Sequence, residues 1–119
     1  MANIIAIKSE DFAVRIINLS LYLENERDEH IIARQIFRSG TSVGANVAES
    51  ENAQSKSDFI SKLNIALKEA DETAYWLRLL KRTRYLSLEL FDSIYPDITE
   101  IIAILISSIR TAKGDNPKE

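Results

Sequence analysis

Arg38-Ser39-Gly40-Thr41-Ser42-Val43-Gly44-Ala45-Asn46-Val47 is the stretch on which the fold turns. Its composition is that of a turn, with two glycines, two serines and a threonine inside seven residues. Its periodicity is that of a helix. Ile32, Ile36, Ser39, Val43, Val47 and Ser50 keep helical spacing from one side of the stretch to the other. Two internal glycines disfavour a helix by about 1 kcal/mol each relative to alanine. The helical reading therefore requires a close neighbour, which small residues permit. One helix is expected here, from about Glu29 to Ala53.

Three further amphipathic segments surround it. Before it, Phe12, Ile16, Leu19 and Leu23 form one helical face from about Lys8 to Asn25, with Ser9 as N-cap and Glu10 and Asp11 in the first turn. Val14, Ile17 and Leu21 add an adjacent stripe, as on a helix with two neighbours. After it, Ser55-Lys56-Ser57-Asp58 fits a capping box in its Asp form. Phe59, Leu63, Ala66, Ala70, Thr73, Leu77 and Leu80 then carry a core stripe, so the third helix covers about 56–84 and is roughly 40 Å long. Ser87 caps a fourth helix, about 88–112, with a kink or break expected near Pro96. Its core face is Ile98, Ile101, Ile102, Leu105 and Ile109. Ile104 and Ile106 point elsewhere, and burying each in a partner would be worth roughly 1.5–3 kcal/mol. That favours a homo-oligomer.

Short connections between long helices force antiparallel neighbours. The expected fold is all-α, an up-down-up-down antiparallel four-helix bundle over residues 1–112, with 113–119 a disordered tail. At 119 residues the chain forms one domain, and three glycines and two prolines suit long helices. The absence of cysteine excludes disulfides and thiolate zinc sites. Neither a signal peptide nor a membrane span is apparent, which makes the cytoplasm the expected location. A net charge of −3 excludes a strongly basic nucleic-acid-binding domain, so any such role must come from a local patch or its repetition in an oligomer.

Chemistry in a four-helix bundle suggests a di-iron centre first. That site needs two Glu-x-x-His motifs, and the single histidine, His30, has no glutamate three residues before it. His30 reads as a surface residue in the first turn of helix two. No metal, cofactor or catalytic site is expected. Glu49, Glu69 and Glu72 could serve as paired carboxylates, but no nucleophile accompanies them. The plainer reading pairs them across helices with Arg34 and Arg38, fixing register more than adding stability. Asn46 sits at the inner edge of helix two and is expected to bond a neighbouring helix or a backbone carbonyl. Tyr75-Trp76 sends one ring towards the core and the other to an interface or groove. Arg78, Lys81, Arg82 and Arg84, followed by Tyr85, form the one dense basic cluster. They either complement the C-terminal dipole of helix three, or contact phosphate with an aromatic ready to stack on a base.

From Arg38 to Leu80 the chain resembles the small four-helix-bundle proteins called 23S rRNA intervening-sequence proteins. The resemblance is carried by Arg38 to Glu49, by Ser57-Asp58-Phe59-Ile60-Ser61-Lys62-Leu63, by Ala66 to Thr73 and by Tyr75-Trp76-Leu77. Tyr85-Leu86-Ser87 also looks like the family's third connection. Helices one and four agree only in pattern. The resemblance implies a bundle assembled as a ring-shaped homopentamer. Its name records genes lying inside ribosomal RNA intervening sequences, which is a genomic address. A relative similar in fold, the accessory variability determinant protein of diversity-generating retroelements, is a basic pentamer that works with a reverse transcriptase and nucleic acid. This chain departs from it in being acidic. No catalytic residues carry over, and Asn46 and Glu49, which match the family motif, read as structural.

The expected function is that of a non-enzymatic homo-oligomer acting as a nucleic-acid-associated or ribonucleoprotein accessory factor. Arg78, Lys81, Arg82 and Arg84 would meet the phosphates of RNA or DNA. The alternative is a scaffold that binds a partner protein and no nucleic acid.

Overall fold

A computed structural model describes residues 3–114. They form α1 (Ile4–Glu26), α2 (Ile31–Ser50), α3 (Lys56–Arg82) and α4 (Leu88–Ala112). Contacts run round a square, α1 to α2, α2 to α3, α3 to α4 and α4 back to α1, and none joins a diagonal pair. This is the up-down-up-down antiparallel bundle, 47 × 28 × 24 Å. Its core takes Phe12, Ile16 and Leu23 from α1, Ile36 and Val43 from α2, Leu63, Leu77 and Leu80 from α3, and Ile94, Ile98, Ile101 and Leu105 from α4. Residues 115–119, most of the expected disordered tail, lie outside the described residues.

The decisive stretch is helical throughout. Thr41 Oγ1 donates to the Phe37 carbonyl at 2.7 Å and Ser42 Oγ to the Arg38 carbonyl at 2.6 Å, so these hydroxyls bond inside the helix instead of turning it. Gly40 is the point of closest approach to α1. A Cβ placed there would lie 2.7 and 2.8 Å from the γ-carbons of Ile16. One turn on, a Cβ at Gly44 would lie 3.2 Å from the Ser9 carbonyl oxygen.

That contact explains where the first helix departs from expectation. It starts at Ile4, with the Asn3 side chain accepting from the Ile5 N–H at 3.2 Å. Ser9, expected as the cap, is a buried small residue that lets α2 approach. Ser55 and Ser87 do cap, accepting from the N–H of Asp58 at 3.0 Å and of Leu90 at 3.1 Å. The second helix begins two residues later than expected. Glu29 lies ahead of it as a buried carboxylate, accepting from the N–H groups of Ile31, Ile32 and Ala33 at 2.8–3.2 Å. The fourth helix runs unbroken through Pro96, which is exposed.

Two expectations about apolar surface also change. Ile104 packs partly against the core, leaving Ile106 as the exposed one of the pair. On α1, Val14 and Leu21 have no second neighbour and stand in solvent. The α1–α4 seam is instead bridged by polar groups. Lys8 meets Glu100 at 3.0 Å, and Arg15 reaches Asp97 at 2.7 Å and the Ser93 carbonyl at 3.1 Å.

Candidate nucleic-acid interface

The basic cluster sits where α3 ends. Thr83 N–H bonds the Leu79 carbonyl at 2.9 Å, and Tyr85 N–H folds back to the Leu80 carbonyl at 2.9 Å. Arg84 N–H bonds the Lys81 carbonyl at 3.1 Å, completing a Schellman closure. That closure puts Arg84 in the left-handed region, φ 66°, where glycine is usual. Tyr85 is half-buried, and the turn hands the chain to the Ser87 cap of α4.

Each cation then takes a defined place. The Arg78 guanidinium donates to the Tyr95 hydroxyl at 3.0 Å and lies 6.0 Å from the Tyr75 ring centroid. Lys81 Nζ sits 4.6 Å from the centre of the Phe91 ring, itself stacked on Tyr95. Arg82 and Arg84 side chains are exposed. A fifth cation joins them from the α1–α2 connection. Arg27 stands over the Tyr85 ring at 5.2 Å and donates to the carbonyls of Tyr85 at 2.8 Å and Arg84 at 3.2 Å. Sequence reading did not single it out, because nothing local signals a partner 58 residues away.

None of these five has a carboxylate within 4.0 Å among the described residues. Arg34, Lys56 and Lys68 are also without ion pairs there but stand singly, and unpaired Arg110 and Lys113 lie one turn apart at the end of α4. The same end also carries Glu26, Glu89 and Asp92, which are exposed and in no ion pair among the described residues. Glu29 is occupied by backbone donors. Glu24 and Asp28 engage His30, at 3.4 and 2.8 Å, and these bonds, Asp28's first, raise its pKa above 6.5. His30 is exposed at the N-cap of α2.

The predicted polar network forms in part. Arg38 binds Glu69 at 3.1 Å and also Glu72, which accepts from Trp76 Nε1 at 3.0 Å. The Thr73 and Ser39 hydroxyls meet between the two helices at 2.9 Å. Glu49 pairs with Lys62 at 3.1 Å rather than with Arg34 or Arg38, and Arg34 is exposed with no ion pair among the described residues. Asn46 Nδ2 donates to the Ser42 carbonyl at 2.8 Å within its own helix. The Arg38–Glu69, Arg38–Glu72, Thr73–Ser39 and Glu49–Lys62 contacts therefore cross between α2 and α3, whereas among the described residues Asn46 and Arg34 make none across that seam. Among the described residues no group of three His, Cys, Asp or Glu could hold a metal ion, and no helix is long and apolar enough to cross a membrane.

Fold and site together define a small up-down four-helix bundle with a dense, unpaired cationic end. The family described as 23S rRNA-intervening sequence protein matches residues 2–107, and the chain belongs to it. Among solved structures it is similar to a protein with unknown function from the S23 ribosomal protein family of Bacteroides thetaiotaomicron VPI-5482. The two are 57% identical, with 91% of this chain and 96% of that one covered and a TM-score of 0.89. No curated protein matches the chain.

Proposed function

We propose that the protein is a non-enzymatic, homo-oligomeric helical bundle acting in the cytoplasm as a nucleic-acid-associated or ribonucleoprotein accessory factor. Arg78, Lys81, Arg82 and Arg84 hold RNA phosphates. The observation that carries the reading is the density of unpaired cations at one helix end. Five are present, three of them over aromatic rings. A cation already neutralised by a carboxylate has little left for phosphate; these five keep their charge. Tyr75, 47% exposed, offers a ring face on which a base can stack. Arg84 adds support, since an arginine held at a left-handed position is a strained choice of the kind that gathers at functional sites. Repetition matters on an acidic bundle, because one patch on a chain of net charge −3 makes a weak field. Five copies in a ring is the arrangement the resemblance implies.

The test is fluorescence anisotropy with a labelled structured RNA at low and near-physiological salt. Binding is expected to weaken steeply with salt. It should vanish in Arg78→Glu/Lys81→Glu/Arg82→Glu and persist in Lys56→Glu, an exposed change at the opposite end of α3. No binding even at low salt removes the reading. The exposed apolar face of α1 favours a second reading, a protein-binding scaffold, for which association would depend little on salt.

A further inference from the structure

The aromatic rings beside the cationic end of α3 are not equivalent. Phe91 is buried, Trp76, Tyr85 and Tyr95 are half-buried, and Tyr75 is exposed. The Tyr75 ring is braced from behind. It meets Trp76 edge to face at 5.2 Å, the Trp76 indole N–H donates to Glu72 at 3.0 Å, and Arg38 holds Glu72 from α2. A ring held in this way is an open π-face that loses little freedom on being covered.

Arg78 stands one turn further along the same helix. At 6.0 Å from the Tyr75 centroid it is at the outer limit of a cation–π contact, and it donates to the Tyr95 hydroxyl at 3.0 Å. That bond takes one N–H, fixes the guanidinium beside the ring, and leaves its other donors for an anion. Arg82 follows on the same face, about 6 Å further along the axis. Asp71, one turn before Tyr75, is exposed and in no ion pair among the described residues. A phosphodiester passing the ring is therefore repelled from one side and drawn towards the other. Ring, guanidinium and guanidinium stand in single file, as base and phosphates do along one strand.

That file does not suit a duplex. A paired base hides its faces in the stack and offers Tyr75 nothing to cover. Duplex RNA is bound by its shape, across grooves many base pairs apart, whereas Arg78 to Arg84 spans about 9 Å of helix. The cations are also fenced by acids. Glu26, Glu89 and Asp92 stand exposed at the same end, so a wide surface with two rows of phosphate meets carboxylates where a single strand meets cations.

We propose that the site takes an unpaired stretch of RNA, with one base on the Tyr75 ring and the adjoining phosphates on Arg78 and Arg82. The proposal rests on the phosphate-binding reading above and names the form of RNA that serves it. In a structured RNA the part held is then a loop, a bulge or a frayed end, and not a stem.

The test titrates a short labelled RNA of mixed sequence by anisotropy at low salt, first alone, then annealed to its complement, then as an abasic analogue. The free strand should bind at least tenfold more tightly than the duplex. Tyr75→Ala should weaken the free strand roughly fivefold to a hundredfold, the range for one lost stack, and leave the abasic strand unchanged. Tyr75→Phe keeps the ring and should bind as wild type does. Equal losses on the free and abasic strands would make the ring structural and overturn the stack. A duplex bound as tightly as the strand, or a Tyr75→Ala variant that binds the strand as wild type does, overturns the single-strand assignment and leaves the cationic end standing. No binding of strand, duplex or abasic analogue removes the phosphate reading as well.

Discussion

Replacing Gly40 by alanine adds one methyl group where α1 and α2 cross. Intrinsic propensity favours the change by about 1 kcal/mol. The packing opposes it. The new carbon would lie 2.7 and 2.8 Å from Cγ2 and Cγ1 of Ile16 and 3.1 Å from its Cβ. Because Cβ is among the three, turning the Ile16 side chain only exchanges one clash for another, and the helices must separate. Overpacking of this kind typically costs about 1–3 kcal/mol and sometimes more. We expect Gly40→Ala to be destabilising by about 1–2 kcal/mol net of the propensity gain. Urea unfolding followed by circular dichroism, at one fixed protomer concentration, measures it. The cause is isolated by a double-mutant cycle with Ile16→Ala, which alone should cost about 2–5 kcal/mol. In the Gly40→Ala background it should cost at least 1 kcal/mol less, because the added methyl then occupies space that Ile16 has vacated. Gly44→Ala, whose Cβ meets the Ser9 carbonyl at 3.2 Å, should lie within about 1 kcal/mol of wild type. A Gly40→Ala variant more stable than wild type would refute the close crossing.

Arg84→Gly should stabilise the fold by about 1 kcal/mol, since glycine adopts the left-handed region freely, and should weaken RNA binding; thermal unfolding and anisotropy on one variant check both. Glu29→Ala removes the acceptor of three N–H groups at the start of α2, and chemical denaturation should show a loss of about 1–3 kcal/mol. His30 should titrate above 6.5 in the folded protein, and Asp28→Asn should bring its midpoint down, as followed by the resonances of the chain's single histidine. Because the pKa is raised on folding, the associated stability is fully present below pH 6.5 and is lost as pH rises through the folded value.

The bundle was legible because hydrophobic period survives where composition misleads. The Ile36-Ser39-Val43-Val47 stripe carried α2 through two glycines, and Ser55 and Ser87 named their caps by position alone. Ser9 misled because a serine ahead of acidic residues fits a cap as well as it fits a close helix crossing. Only the contact with Gly44 distinguishes the two. Glu29 was hidden for a similar reason, since a glutamate at a helix start is common and its burial under three backbone donors is tertiary. In the candidate site, Arg78, Lys81, Arg82 and Arg84 were visible as a run. Arg27 and its place over Tyr85 were not, because that contact joins two loops far apart in sequence. Pairings between helices were legible by type but not by partner: Arg38 found Glu69 and Glu72, while Glu49 found Lys62, one choice among several that charge alone allows.

The central claim, that unpaired cations at the end of α3 hold phosphate, is tested most directly by the slope of log affinity against log salt for structured RNA. With three to five phosphate contacts per chain, and about 0.7–0.9 in slope per contact, a value of about −2 to −4.5 is expected. Changing Arg78 or Arg82 to alanine should each make it shallower by just under one unit. A slope near zero, or one that neither change alters, would contradict the account.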